Sequence, residues 1–148
     1  CLGNICRSPT AEGVLRFKLQ AAGLSRQVEV DSAGTADWHA GKAPDARTQA
    51  AARRRGYALE DLQARQVCVD DFHRFDLILA MDQNNLSDLQ RLRPANAPAD
   101  LDLFLRRYDL ALDEVPDPYY GGESGFEQVL DLIEQACDGL LQEIRSSL

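Results

Sequence analysis

Hydrophobic and polar residues alternate along this 148-residue chain in two different patterns. Several segments place an apolar side chain every three or four residues, as one face of an amphipathic helix does. Short apolar runs lie between them, and the continuous run at 77–81 is typical of a strand buried in a parallel sheet. Helices are predicted at 10–22, at 45–55 (ended by Gly56) and at 82–92 (capped by Asp82), and a capping box at 124–127 opens a long terminal helix. Strands are predicted at 28–31, 77–81 and 101–104.

The alternation of strands and helices predicts an α/β fold, a sandwich in which helices flank a parallel sheet. A chain of this length is large enough to bury roughly 70% of its unfolded surface, so we expect one domain over residues 1–148. In parallel sheets of this kind, ligands bind beyond the carboxyl ends of the strands. The functional residues should therefore lie in the loops that follow them.

Composition excludes several classes of function. The formal net charge of −8 argues against general nucleic-acid binding, and no apolar run approaches the ~18 residues of a membrane span. Four cysteines and two histidines without a CxxC pair do not form a zinc pattern, so no metal or other cofactor is expected. Sparse cysteines favour a reducing compartment, which predicts a cytoplasmic location, with secretion as the alternative.

The first nine residues, CLGNICRSP, have the layout of a phosphate-binding loop. Cys1 would supply a thiolate nucleophile, and Arg7 a planar fork that matches two phosphate oxygens. Ser8 as N-cap and Pro9 as first helical residue would begin a helix whose positive end favours both thiolate and phosphate. Gly3 and Asn4 tolerate unusual backbone conformations. The inward-facing backbone N–H groups would come from Leu2, Gly3, Asn4, Ile5, Cys6 and Arg7.

Cleavage of a phosphate ester also needs a proton for the leaving oxygen, and the best candidate for its donor is Asp117 in a second segment, DPYYGG. Prolines on both sides stiffen the loop around the Asp117 carboxylate. Tyr119 and Tyr120 could line a slot for an aromatic ring. An ordinary turn is the alternative, since Asp-Pro and Gly-Gly are common turn formers.

Taken together, CLGNICRSPTAE and DPYYGG closely resemble the low-molecular-weight protein tyrosine phosphatases. The segment DSAGT at 31–35 and the following Asp37 and Trp38 look like the second active-site loop of that family. The resemblance spans essentially the whole chain. It implies a three-layer sandwich with a mostly parallel four-stranded sheet, and hydrolysis of phosphotyrosine in proteins and of small aryl phosphates through a cysteinyl-phosphate.

The resemblance also implies residue roles. Cys1 is expected to be the nucleophile, Arg7 the phosphate clamp and Asp117 the general acid, with no metal. Phosphotyrosine proteins and free phosphate or other oxyanions would bind. In bacteria it implies a partner tyrosine kinase in polysaccharide export or a secreted effector role, and both stay open. Ser8, Asn4 and Ser32 would support the thiolate and the loop, and Trp38, Tyr119 and Tyr120 would form the walls of the substrate pocket.

Two departures from the family pattern stand out. Some members carry a histidine that supports the serine and asparagine network, at the position aligned with Leu62. The family also has a hydrophobic strand that leads into the nucleophile. We therefore expect roughly five to ten further residues, mainly Val, Ile, Leu or Phe, ahead of Cys1 in the native protein.

Two other functions remain open at this point. Arsenate reduction on a related fold would need cysteines that relay a disulfide from the nucleophile, and Cys68 and Cys137 are poor candidates. A catalytically impaired phosphotyrosine-binding module is the second.

Cys6 is predicted to be a second active-site thiol that protects Cys1 by forming a disulfide, although a packed small hydrophobe is the alternative. Cys137 is expected in the core, and His39 and His73 are expected at the surface or on the side of a helix.

Overall fold

The computed structural model describes residues 1–119 and 122–148. Helices account for most of the regular structure, and a short parallel sheet lies among them. The elements in chain order are α1 (Arg7–Ala21), α2 (Ala46–Arg54), α3 (Asp71–Arg74), β1 (Leu77–Ala80), α4 (Gln83–Leu92), β2 (Asp100–Leu103), α5 (Phe104–Arg107) and α6 (Glu123–Ser147).

The sheet confirms two of the predicted strands. β1 and β2 pair in parallel, from Leu77 opposite Asp100 to Ala80 opposite Leu103, and α4 connects them. A parallel connection needs a crossover, which α4 supplies. A separate parallel bridge joins Gly34 to Gln66. The predicted α/β class with a parallel sheet and flanking helices is confirmed.

The predicted strand at 28–31 is wrong. These residues have no ladder partner in the part of the chain that the structure describes. A cavity of about 680 Å³ is lined both by this segment, including Val28 and Val30, and by Leu77 and Leu79 of β1. Residues 28–31 therefore lie along a cavity, and β1 pairs with β2 and not with them. The structure thus describes two strands and one bridge of the expected four-stranded sheet, and the strand ahead of Cys1 stays a prediction.

The core holds α1 and α6 together. Ile133 and Ala136 of α6 are fully buried, and so is Cys137, as predicted. Fully burying a side chain such as Ile133 stabilises a fold by about 1.5–3 kcal/mol. A second cluster, built on Phe72 and Leu103, covers the sheet. Because α1 begins directly after residues 1–6, this core also fixes the position of the predicted phosphate loop.

The predicted helix ends are partly right. Asp45 caps α2 by accepting a hydrogen bond from the Arg47 backbone N–H, and Gly56 follows α2 with φ of +89°. Asp82 caps α4 in the same way. The capping box at 124–127 is wrong, because α6 begins at Glu123 and makes no side-chain cap. Ser124 consequently lies inside the first turn with its side chain exposed.

Candidate active site

Residues 3–6 form a series of bends that leads directly into α1. Asn4 has φ of +57°, a left-handed conformation that asparagine adopts more readily than most residues. Gly3 serves a different purpose, because a Cβ added there would lie 2.7 Å from Cδ2 of His39. Gly3 therefore permits the approach of His39, while Asn4 carries the unusual backbone conformation.

Ser8 is not the N-cap that the sequence predicted. α1 begins at Arg7 with Cys6 at the N-cap position, so Ser8 is the second helical residue and Pro9 the third. Proline is tolerated there because the first N–H groups of a helix have no intrahelical partner. The Ser8 hydroxyl turns back into the loop instead, where its Oγ lies 2.9 Å from Sγ of Cys1.

The Asn4 side chain ties three segments together. Its Nδ2 donates to Oγ of Ser8 at 2.9 Å and to Oγ of Ser32 at 3.0 Å. Its Oδ1 accepts a hydrogen bond from the Arg65 backbone N–H at 3.0 Å. Because Asn4 already donates to Ser8, the Ser8 hydroxyl proton is free to point at the sulfur of Cys1. The predicted supporting residues Ser8, Asn4 and Ser32 thus form one network.

The network ends at Glu12, a residue that the sequence did not suggest. Ser32 Oγ donates to Oε1 of Glu12 at 2.6 Å, and Oε2 pairs with Arg16 at 2.5 Å. Burial raises the pKa of Glu12, although the Ser32 hydrogen bond and Arg16 oppose that shift. Leu62, aligned with the family histidine, packs against the main core. Ser32 and Glu12 extend the polar network in this chain.

A second backbone segment supports the loop from the side. The N–H of Thr35 donates to the Cys1 carbonyl and that of Ala36 to the Leu2 carbonyl, each at 2.9 Å. A Cβ on Gly34 would lie 2.6 Å from the Leu2 carbonyl oxygen, so only glycine fits this contact. The DSAGT segment is therefore a part of the same site.

Arg7 is buried, with 3% of its side chain exposed. Its Nη1 donates to Oδ2 of Asp82 at 2.7 Å and to the Val115 carbonyl at 3.0 Å. Burial opposes ionisation of Asp82, but the hydrogen bonds from Arg7 and from the Asn85 N–H, together with the charge of Arg7, outweigh it and the pKa of Asp82 is lowered. From the sequence, Asp82 is predicted only as a helix cap. In the structure Asp82 binds Arg7 with one oxygen and caps α4 with the other, which accepts a hydrogen bond from the Asn85 N–H.

Asp117 faces the same guanidinium. Its Oδ2 lies 3.8 Å from Nη2 of Arg7, and its Oδ1 accepts a hydrogen bond from the Tyr119 N–H at 3.0 Å. The Asp117 side chain is 43% exposed. The Val115 N–H donates to the carbonyl of Met81, next to the end of β1, at 2.8 Å. The segment with Asp117 is therefore anchored at the carboxyl end of a strand, as the fold predicts.

Two of the three residues predicted to form the pocket walls lie in the described part of the chain. Trp38 is 68% exposed and Tyr119 is half-buried, whereas Tyr120 lies outside the described residues. His39 is half-buried beside the loop, with its ring centroid 6.4 Å from that of Tyr119, a contact that was not predicted. Nothing in its sequence neighbourhood signals this contact. His73 is exposed on α3, as predicted.

The thiols differ strongly in environment. Cys1 is half-buried, Cys6 is buried within the loop and Cys68 is exposed, and none forms a disulfide. Burial raises the pKa of Cys6 to about 11 and that of Cys137 to about 12. Cys137 is fully buried in the core, so its thiol is unsuited to the disulfide relay that arsenate reduction needs.

Within residues 1–119 and 122–148, no group of three or more His, Cys, Asp or Glu side chains is arranged as metal ligands. No helix in these ranges is long and apolar enough to cross a bilayer.

Comparison with known proteins agrees with this geometry. The family model described as low molecular weight phosphotyrosine protein phosphatase matches residues 1–148. A low molecular weight protein-tyrosine-phosphatase of Streptomyces coelicolor is 47% identical, over 100% of this chain and 92% of that protein. A crystal structure of an Entamoeba histolytica protein tyrosine phosphatase with Hepes in its active site superposes with a TM-score of 0.94 at 38% identity, covering 99% of this chain and 94% of that one. YfkJ of Bacillus subtilis superposes with a TM-score of 0.92 at 39% identity, covering 99% and 92%. The chain belongs to the low-molecular-weight phosphotyrosine protein phosphatase family.

Proposed function

We propose that this phosphatase hydrolyses phosphotyrosine through a phosphate held covalently on Cys1. Two contacts carry the proposal. Sγ of Cys1 lies 2.9 Å from Oγ of Ser8, which directly follows Arg7, and Nη2 of Arg7 lies 3.8 Å from Oδ2 of Asp117. A nucleophile, an anion clamp and a proton donor are the three groups that the reaction needs.

In the first step, the Cys1 sulfur attacks phosphorus and the bond from phosphorus to the tyrosyl oxygen breaks. Asp117 gives its proton to the departing oxygen. The loop N–H groups and Arg7 hold the three equatorial oxygens, whose charge spreads as the transition state forms. Asp82 and the Val115 carbonyl fix Nη1 of Arg7, which supports a single orientation of the guanidinium.

In the second step, a water molecule attacks phosphorus while the Asp117 carboxylate takes one of its protons. The sulfur–phosphorus bond breaks, inorganic phosphate forms and Cys1 departs as a thiolate. The Ser8 hydroxyl is placed to donate to that thiolate, because Asn4 already donates to the Ser8 oxygen. A stabilised thiolate is a better leaving group, so Ser8 should act in this step.

The aromatic residues support an aryl substrate. Trp38 is exposed in the turn that also carries His39, and His39 lies against Gly3 of the loop. Tyr119 follows Asp117 by two residues. We propose that Trp38 and Tyr119, with Tyr120, receive the phenyl ring, and that residues 1–148 act as one domain. The tyrosine kinase partner, the binding of other oxyanions and the cytoplasmic location stay predictions.

Asp117 gives the experiment that tests this proposal. Asp117→Asn should lower kcat/KM by about 10²–10⁴-fold for phosphotyrosine peptides, because one general acid typically supplies this factor. Esters of strongly acidic phenols should lose much less, since their leaving oxygen needs little protonation. Steady-state kinetics over a series of aryl phosphates with rising leaving-group pKa measures the difference.

Asp113→Asn is the matched control, because Asp113 is an exposed carboxylate four residues before Asp117. It should leave every member of the series unchanged. An equal loss across the whole series for Asp117→Asn would assign the proton donor to another residue.

Cys6 gives a second prediction, which concerns oxidation. Peroxide should convert the Cys1 thiolate to a sulfenic acid, and Cys6 should then attack that sulfur, releasing water and forming a disulfide. Cys6 is 4% exposed, so Cys1 should meet the oxidant first. Peptide mass mapping after mild oxidation should find the Cys1–Cys6 link, and a thiol reductant should restore activity.

Two variants test the role of Cys6 in that protection. Cys6→Ala should recover poorly because Cys1 then proceeds to sulfinic acid. Cys68→Ala, which removes an exposed thiol, should recover like the wild type. Full recovery of Cys6→Ala would refute a protective role.

A further inference from the structure

Arg47, in the first turn of α2, contacts the segment that carries Asp117. Its Nη2 donates to the Tyr119 carbonyl at 3.0 Å. The same guanidinium makes a bidentate contact with the Asp45 carboxylate, through Nε at 3.1 Å and Nη2 at 3.0 Å. A planar fork that binds two groups at once fixes direction as well as distance.

Asp45 is itself attached to the phosphate loop. Its backbone N–H donates to the Ile5 carbonyl at 2.8 Å, and its carboxylate also caps α2. Burial opposes ionisation of Asp45, but hydrogen bonds from Arg47 outweigh it and lower its pKa. Asp45 and Arg47 thus form a bridge from the loop that binds phosphate to the segment that carries the proton donor.

Two rings hold the guanidinium in place. Its Cζ lies 5.4 Å from the ring centroid of Tyr119 and 4.9 Å from that of Phe126 on α6. The Arg47 side chain is 45% exposed, so these contacts contribute little net stability. The two rings instead restrict the orientation of the guanidinium plane, and so the directions in which its N–H groups can donate.

The contact reaches Asp117 through one residue. The Tyr119 carbonyl accepts from Arg47, while the Tyr119 N–H donates to Oδ1 of Asp117 at 3.0 Å. Fixing Tyr119 therefore fixes the carboxylate that faces Arg7. We propose that Arg47 is a positioning residue that holds Asp117 for proton transfer to the leaving oxygen. This inference rests on the proposed role of Asp117 as general acid.

Arg47→Met tests the inference, since methionine keeps much of the apolar stem and removes all the donors. We expect kcat/KM to fall about tenfold for aryl phosphates with a weakly acidic leaving group, within the ~10²-fold that a misplacement of about 1 Å can cost. Esters of strongly acidic phenols should change less than twofold, and so should competitive inhibition by inorganic phosphate. A loss that is equal for all esters would overturn the inference, because it would indicate a general effect on the loop.

A double-mutant cycle separates a positioning effect from a structural one. In an Asp117→Asn background, Arg47→Met should cost no further activity, because the group that it positions is absent. A further loss of the same size there would overturn the inference. If Asp117→Asn itself lowers kcat/KM equally for all esters, both the general-acid assignment and this inference fail. If the loss of activity caused by Asp117→Asn depends on the leaving group and the loss caused by Arg47→Met does not, this inference fails and the general-acid assignment stands.

Arg54→Met is the matched control, because Arg54 lies on the same helix and pairs with Glu127 of α6 at 2.9 Å. It should leave the whole ester series unchanged, and a loss there equal to that of Arg47→Met would overturn the inference. Where Arg47→Met does not fold, Arg47→Lys replaces it, since lysine keeps the charge and cannot make the bidentate contact. Arg47→Lys should show the same dependence on the leaving group with a smaller loss, and a uniform loss would again overturn the inference.

Discussion

Replacing Cys1 with serine should abolish turnover and leave phosphate binding intact. We expect kcat/KM for a phosphotyrosine peptide to fall by more than about 10⁴-fold, since removing a positioned nucleophile can cost ~10⁶-fold. The Ser8 hydroxyl is placed to stabilise a thiolate, whereas a serine hydroxyl at position 1 keeps its proton at neutral pH. The anion should still bind, because backbone N–H groups and Arg7 hold it.

Hydrolysis of para-nitrophenyl phosphate and titration calorimetry with inorganic phosphate measure the two halves of this prediction. Cys68→Ser is the control, because Cys68 is exposed and lies outside the loop. It should keep full activity. If Cys1→Ser retained hydrolysis within tenfold of the wild type, Cys1 would not be the nucleophile, and a loss of phosphate affinity would show that the sulfur holds the loop in shape.

Local patterns explain why much of the fold could be predicted. β1 is a continuous apolar run, and Asp45, Gly56 and Asp82 mark helix ends through contacts within three residues of each end. The phosphate loop is predictable for the same reason, because its groups are contiguous in the chain. The strand at 28–31 failed because its pairing depends on a neighbour, which no local pattern supplies.

The missed site residues have roles that depend on distant contacts. Asp82 looks complete as a helix cap, yet its other oxygen binds Arg7, 75 residues away in the chain. Glu12 looks like half of an exposed i,i+4 pair with Arg16, yet it is buried against Ser32. Each of these residues satisfies a local rule, so the sequence gives no reason to look further.

Ser8 shows the opposite case. Ser-Pro after an arginine is a good local signal for a helix start, and the structure begins the helix at Arg7 instead. The hydroxyl that would have capped the helix approaches Cys1 Sγ and accepts from Asn4. Ser8 belongs to the proposed active site, which is where local preferences are expected to fail.

Replacing Arg7 with lysine should lower kcat/KM by about 10³-fold or more, the range in which a phosphate-binding arginine acts in phosphoryl transfer. Nη1 of Arg7 already binds Asp82 and the Val115 carbonyl, which leaves the rest of the fork for the phosphate. A lysine ammonium is a point charge and cannot hold Asp82 and two phosphate oxygens in fixed directions. Affinity for inorganic phosphate, measured by calorimetry, should fall together with the rate.

The ion pair between Arg7 and Asp82 should also stabilise the fold, and this contribution can be measured. Because the pKa of Asp82 is lowered in the folded protein, the pair stabilises the wild type above the ordinary value of 3.8, and that contribution is lost as the pH falls through the folded pKa. Asp82→Asn should therefore be less stable than the wild type at neutral pH, with the difference shrinking towards acid. Urea unfolding at several pH values measures it, and a difference independent of pH would mean that the Asp82 charge does not hold Arg7.

Arg91→Lys is the matched control for the arginine substitution, since Arg91 on α4 has a side chain that is 72% exposed. It should change neither the rate nor phosphate affinity. If Arg7→Lys kept kcat/KM within tenfold of the wild type, the loop N–H groups alone would suffice to hold the transition state. The buried pair between Arg7 and Asp82 would then be a purely structural contact between the phosphate loop and the end of β1.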